Sequence, residues 1–186
     1  MRTILTTLAA CAFFSAPAYS QTPTLPVCLV DVAGISPGDL RKASAIAKTI
    51  FQRAGIETEW SVCSAGSNSD GVDIRLLGAN MIDPGFPRHV LGMANRQQRA
   101  VYVFYDRIRR SPLGALGNEH ALLASVMAHE AGHLLGLEHA RTGLMRANLV
   151  SRDVERARIG GLNFTVDEAR LLRARIAAKA EAKRAD

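Results

Sequence analysis

The sequence is poor in aromatic residues, at 5% of 186, and Trp60 is its single tryptophan, so Leu, Val, Ile and Ala must fill its interior. Past residue 20 no apolar run is long enough to span a bilayer as a helix. With 22% charged and 48% hydrophobic residues, wholesale disorder and collagen-like repeats are excluded. Internal repeats are absent, and the length fits one domain better than two. Cysteine is scarce: Cys11, Cys28 and Cys63.

The first twenty residues read separately. A positive start at Met1-Arg2, a largely apolar stretch from Ile4 to Ala18, and small residues before Gln21 form the pattern of a secretory signal peptide. Leu8-Ala9-Ala10-Cys11 also resembles a lipobox, which keeps a lipidated Cys11 open as the lesser alternative. The expectation is an exported protein, periplasmic or secreted, with residues 1–20 removed and residues 21–186 forming a single domain. That remainder carries 22 basic and 17 acidic residues, a formal +5, concentrated from Arg141 onward. Solvated helix faces explain such a charge more simply than nucleic acid does, because interleaved aromatics and a basic helix matched to a groove are lacking.

Along the chain, Val27–Val32 reads as a first strand. Ser36-Pro37-Gly38-Asp39 reads as a capped helix start, with an apolar face through Phe51 and a stop at Gly55. Strands are expected at 56–62 and 72–77, then a hairpin with arms 90–95 and 100–105. The weaker first arm, carrying Gly92 and Asn95, suits a sheet edge. A loop through Pro112 and Gly117 leads to a helix capped by Asn118. Ser151 and Thr165 open two more helices, and the chain beyond Ala178 lacks an apolar face and is expected to fray. An oxidising compartment favours joining Cys28 to Cys63. Strand geometry argues against it, because Cys28 near the start of one parallel strand and Cys63 at the end of its neighbour lie at opposite edges, beyond a bridge's reach of about 7 Å.

The informative segment is His129-Glu130-Ala131-Gly132-His133-Leu134-Leu135-Gly136-Leu137-Glu138-His139. On a helix His129 and His133 share one face and can address one ion, with Glu130 beside them to hold a water. Gly136 can take positive φ, end the helix and return His139 from a new direction. Three imidazoles leave a tetrahedral zinc ion one further position, the layout of a catalytic site. Five fixed residues, three of them histidine, arise by chance at a probability on the order of 10⁻⁵ in such a chain. Glu138, His120 and His89 read as surface residues, Asp106 as a loop cap, and Tyr102 and Tyr105 as sheet residues.

This spacing resembles the metzincin zinc metallopeptidases, and Thr142-Gly143-Leu144-Met145 resembles the methionine turn that those proteins place beneath the metal. It is further similar to a group of small exported bacterial metzincin-like proteins. The resemblance implies an α/β (α+β, zincin-like) fold: a twisted, mostly parallel sheet of about five strands with one antiparallel edge strand, an active-site helix and a C-terminal helical part. It implies one catalytic Zn2+ on His129, His133 and His139, Glu130 as general base, Met145 in the turn, and a protein or peptide substrate. Gly92 and Ala94 on the edge strand, and Arg146 after the turn, are its implied substrate contacts. The tyrosine that some metzincins carry two residues after the methionine is Ala147 here. Metalloendopeptidase activity is the leading expectation; a non-catalytic protein with a structural metal and a cleft for a protein or peptide partner is the alternative.

Overall fold

The computed structural model describes residues 22–64, 70–83, 85–115 and 117–185. The expected leader, with Cys11, lies outside them. Five strands, β1 (Thr24–Asp31), β2 (Glu57–Val62), β3 (Val72–Leu77), β4 (Gly92–Asn95) and β5 (Ala100–Phe104), form one sheet in the order β2-β1-β3-β5-β4. All pairings are parallel except β4 with β5. The helices are α1 (Pro37–Arg53), α2 (Tyr105–Arg110), α3 (Glu119–Leu134), α4 (Ser151–Arg158) and α5 (Val166–Ala185). This is the expected mixed α/β sheet with an antiparallel edge.

Local chemistry accounts for the helix that joins β1 to β2. Ser36 Oγ accepts the Asp39 N–H at 3.2 Å and donates to the Asp39 carboxylate at 2.7 Å, while Pro37 occupies the first turn. Leu40, Ala43, Ala47, Ile50 and Phe51 then form one buried face. With few rings available, α3 packs closely through small residues. Ala121, Ala124, Ala128, Ala131 and Gly132 are all buried, and they let the helix lie against α1 and the sheet.

Three expectations need correction. First, Cys28 and Cys63 are disulfide-bonded, with Cα atoms 5.7 Å apart. β1 starts at Thr24, not Val27, so Cys28 sits in mid-strand opposite Ser61, and the Cys63 N–H bonds the Leu29 carbonyl at 2.8 Å. The two cysteines are therefore near-neighbours across one pairing. Second, Tyr105, expected to end the strand, and residues 106–110, expected as loop, form α2, and one 3₁₀ turn at Pro112–Gly114 follows. Third, α5 continues beyond Ala178 to Ala185, where Lys179 and Lys183 bond the Asp70 carbonyl and carboxylate.

Candidate metal centre

The site is built where α3 stops. Gly136 has φ +94°, its N–H bonds the His133 carbonyl at 2.9 Å, and the Leu137 N–H bonds the Gly132 carbonyl at 2.9 Å. This pair of bonds closes the helix end and turns the chain back on itself. His139 thereby returns toward the α3 face that carries His129 and His133. The coordinating atoms of the three histidines lie within 4.8 Å of one another.

A second turn supports the first from below. Gly143, at φ +79°, opens a turn in which the Arg146 N–H meets the Gly143 carbonyl at 3.4 Å, and the Ala140 N–H bonds the Met145 carbonyl at 2.8 Å. Met145 is fully buried against α3 at Gly132, where any side chain would meet the Met145 sulfur at 2.7 Å. The glycine in the motif's interior is thus the seat of the methionine.

Backbone carbonyls fix the imidazoles. His129 Nδ1 lies 2.8 Å from the Leu144 carbonyl, and His133 Nδ1 lies 2.9 Å from the Leu137 carbonyl. A carbonyl only accepts, so each Nδ1 carries the hydrogen and each Nε2 of the neutral ring presents a lone pair. Those two Nε2 atoms are 3.1 Å apart. Two acceptors at that distance repel unless a cation lies between them. A tetrahedral zinc with bonds of roughly 2.0–2.1 Å spaces its ligand atoms about 3.3 Å apart. The donor set therefore fits zinc: three neutral imidazoles, two of them oriented by outer hydrogen bonds.

Burial sets the protonation states. It pushes His129 down to about 4 and lowers His133, so both offer lone pairs at neutral pH. Burial also pushes the Glu130 carboxyl up to about 7, against an opposing hydrogen bond from the Ala94 N–H. Glu130 is the one carboxyl of the described residues so raised, and it stands beside the trio as a group able to take up and give back a proton near neutral pH.

A cleft of about 1570 Å³ runs over these residues, between β4 on one side and residues 146–149 on the other. The Phe104 N–H bonds the Leu91 carbonyl, so by alternation Gly92 and Ala94 turn their backbone groups away from β5, outward from the sheet edge. At Gly92 any side chain would meet Glu130 and Val126 at 2.9 Å, which is why the strand can lie so close to the carboxyl. Arg146 lines the opposite wall and reaches Asp153 at 3.3 Å.

The remaining candidates stand apart from the trio. Glu138 is exposed and paired with Arg96. His120 is more than a surface residue, since it bonds Asp39 at 2.9 Å and so ties α3 to α1. Asp106 pairs with Arg110, Tyr105 donates to Glu119, and Tyr102 donates to Gln98. Sequence reading missed Arg107, whose guanidinium donates to the carbonyls of Phe86, Pro87 and Val90 and lies over Phe104, holding the cleft's outer loop. It also missed Asp153, a buried acid three residues past Val150 whose carboxylate accepts the Val150 N–H. An acid in a first helical turn was its only sequence signal.

No family model matches this sequence, and no curated protein matches it. Among solved structures the chain is similar to archaemetzincin from Methanopyrus kandleri, with TM-score 0.58 and 17% identity over 83% of this chain and 96% of that one. A zinc-dependent peptidase from Methanocorpusculum labreanum matches with TM-score 0.49 and 13% identity, over 81% of this chain and 99% of that one. Metalloproteinase-II from Bacteroides fragilis matches with TM-score 0.47 and 12% identity, over 83% of this chain and 53% of that one. The likeness to archaemetzincin establishes a shared zincin-like fold.

Proposed function

We propose that this protein is an exported zinc-dependent metalloendopeptidase of metzincin type, with His129, His133 and His139 as the ligands of one ion. The observation that carries the reading is the pair of Nε2 lone pairs 3.1 Å apart, each locked in that state by a backbone carbonyl on the far nitrogen. Glu130, buried beside the trio and raised to about 7, favours catalysis over a purely structural metal. The export assignment rests on the leader pattern of residues 1–20.

In this reading Met145 is the methionine of the turn, packing under the histidines so that they keep one geometry. Zinc bound there supplies Lewis acidity, which polarises a carbonyl and acidifies water toward a pKa of roughly 7. Glu130 takes the proton from the attacking water and returns it to the leaving nitrogen. An extended peptide pairs along the outward backbone groups of Gly92 and the outward carbonyl of Ala94, adding a strand to the sheet edge. Arg146 and the residues after it form the wall beyond the scissile bond.

The test is a peptide-library digest with and without chelator, alongside metal analysis. One zinc per chain and chelator-sensitive cleavage are expected. Glu130→Gln should keep the zinc and lower turnover by about 10²–10⁴-fold; full turnover in that variant removes Glu130 from its role, and zinc-loaded protein that cuts nothing in the library rejects the peptidase reading.

A further inference from the structure

The ion pairs along the cleft are not alike. Arg96 pairs with Glu138 and Arg110 with Asp106, and all four residues line the cleft, so a ligand there meets both signs at once. Arg107 has its guanidinium committed to three carbonyls of its own chain. Arg88 also lines the cleft, from the exposed outer loop on the side away from the turn. Arg146 differs from each of these. It lines the cleft with 40% of its side chain exposed, while its counter-ion, Asp153, is 6% exposed and lies behind the wall at the start of α4.

Asp153 is held there independently of the arginine, because one of its oxygens also accepts the Val150 N–H at 3.1 Å. Arg146 contributes only one nitrogen to the pair, at 3.3 Å, which leaves most of its five donors uncommitted to that carboxylate. Its place is fixed relative to the histidines. It pairs with Ala140, the residue after His139, and it follows Met145, whose carbonyl accepts the Ala140 N–H at 2.8 Å. Arg146 therefore lines the cleft from the turn that follows the third histidine, while its counter-charge, Asp153, lies outside the cleft lining.

We propose that Arg146 makes this cleft selective for peptides carrying a carboxylate beside the scissile bond, and that Asp153 is the positioning residue that aims it. This rests on the metallopeptidase reading for the orientation of the peptide, but the recognition itself is a binding property. A planar guanidinium with free donors matches a carboxylate in two-point geometry, whereas a cationic side chain at the same place is repelled. The carboxylate can belong to an internal Asp or Glu, or to the peptide's own C-terminus.

The experiment measures binding of fluorescent peptides to the zinc-loaded Glu130→Gln protein, so that turnover is not needed. Four peptides of one backbone are compared: an internal Glu with an amidated end, an internal Gln with a free carboxyl end, the neutral amidated parent, and an internal Lys with an amidated end. A carboxylate peptide should bind about 5–10-fold tighter than the parent, and the Lys peptide weaker than it. Which of the first two peptides gains the affinity identifies the source of the carboxylate. Arg146→Met should erase the difference, Arg146→Lys should keep part of it, and Asp153→Asn should reduce it while the zinc stoichiometry stays at one. Equal binding of all four peptides, no binding of any, or a preference that survives Arg146→Met overturns the proposal. Binding selectivity in a protein whose parent form cleaves nothing would reject the peptidase reading and leave this one standing.

Discussion

α1 and α3 end in the same way and to different purposes. Each closes with a glycine in the left-handed region, Gly55 at φ +72° and Gly136 at φ +94°. Each places the residue after that glycine against a carbonyl five positions back, Ile56 on Phe51 and Leu137 on Gly132. Each also receives an arginine from α5: Arg173 donates to the Ala54 carbonyl and Arg175 to the Leu135 carbonyl. One stop feeds an ordinary strand, and the other delivers His139 to the trio. The carboxyls associated with the two helices differ as well. Asp39, at the solvent-facing start of α1, is held down to about 2, first by its Ser36 hydrogen bond, while burial lifts Glu130 to about 7. The same local grammar thus closes one helix onto a strand and the other onto the histidine trio.

The sharpest way to break the parallel is to substitute both glycines. Gly55→Ala and Gly136→Ala each force a side chain into the left-handed region at a cost of roughly 1–2 kcal/mol, and Gly136→Ala should cost the more, because its new Cβ also displaces the Arg175 guanidinium from the Leu135 carbonyl. If the trio holds zinc as proposed, only Gly136→Ala should weaken it, by about 100-fold or more in a chelator competition, because only that turn carries one of the three histidines. Equal zinc affinity in the two variants would detach His139 from the site.

A pH series sharpens the contrast between the carboxyls. Because the folded protein holds the Glu130 proton more tightly than the unfolded chain does, the zinc-free fold should lose stability as pH rises from about 4.5 through about 7. Glu130→Gln removes that loss. In denaturant titrations of zinc-free protein the variant should gain on the order of 2 kcal/mol at pH 8 and little at pH 4. A gain that is flat with pH would mean that Glu130 is not held in its neutral form. Asp39 works in the opposite sense, since its stabilising contacts are present above about pH 4 and fade as pH falls toward 2.

The smallest effect separates the two arginines. Arg173→Met and Arg175→Met should each cost about 1 kcal/mol for a lost charge-assisted bond at a half-exposed helix end. Zinc affinity should fall a few-fold in the second alone. Thermal melts read the first quantity and chelator competition the second.

Much of this was legible in the chain. The histidine spacing, the stop at Gly136 and the capped start at Ser36 are local signals, and local chemistry decides them. What failed depended on neighbours. The β-rich run Val27–Val32 made β1 appear to begin at Val27. The strand nonetheless runs from Thr24, because its early residues pair with β2 alone and β3 joins only at Val27. That shift of three residues moved Cys28 from a strand end to mid-strand and reversed the disulfide expectation. α2 was hidden because its six residues continue an apolar strand without a side-chain cap. The lone-pair contact between His129 and His133 was invisible for a different reason: the carbonyls that set it belong to Leu137 and Leu144, and a carbonyl has no signature in a sequence.

The two arginines of α5 tie separate parts of the fold to one element. A single rod thus fastens two helix ends, at Ala54 and Leu135, and it follows all three histidines in the chain. Loss of the C-terminal helix would therefore loosen both stops at once, the one that leads into β2 and the one that turns His139 back.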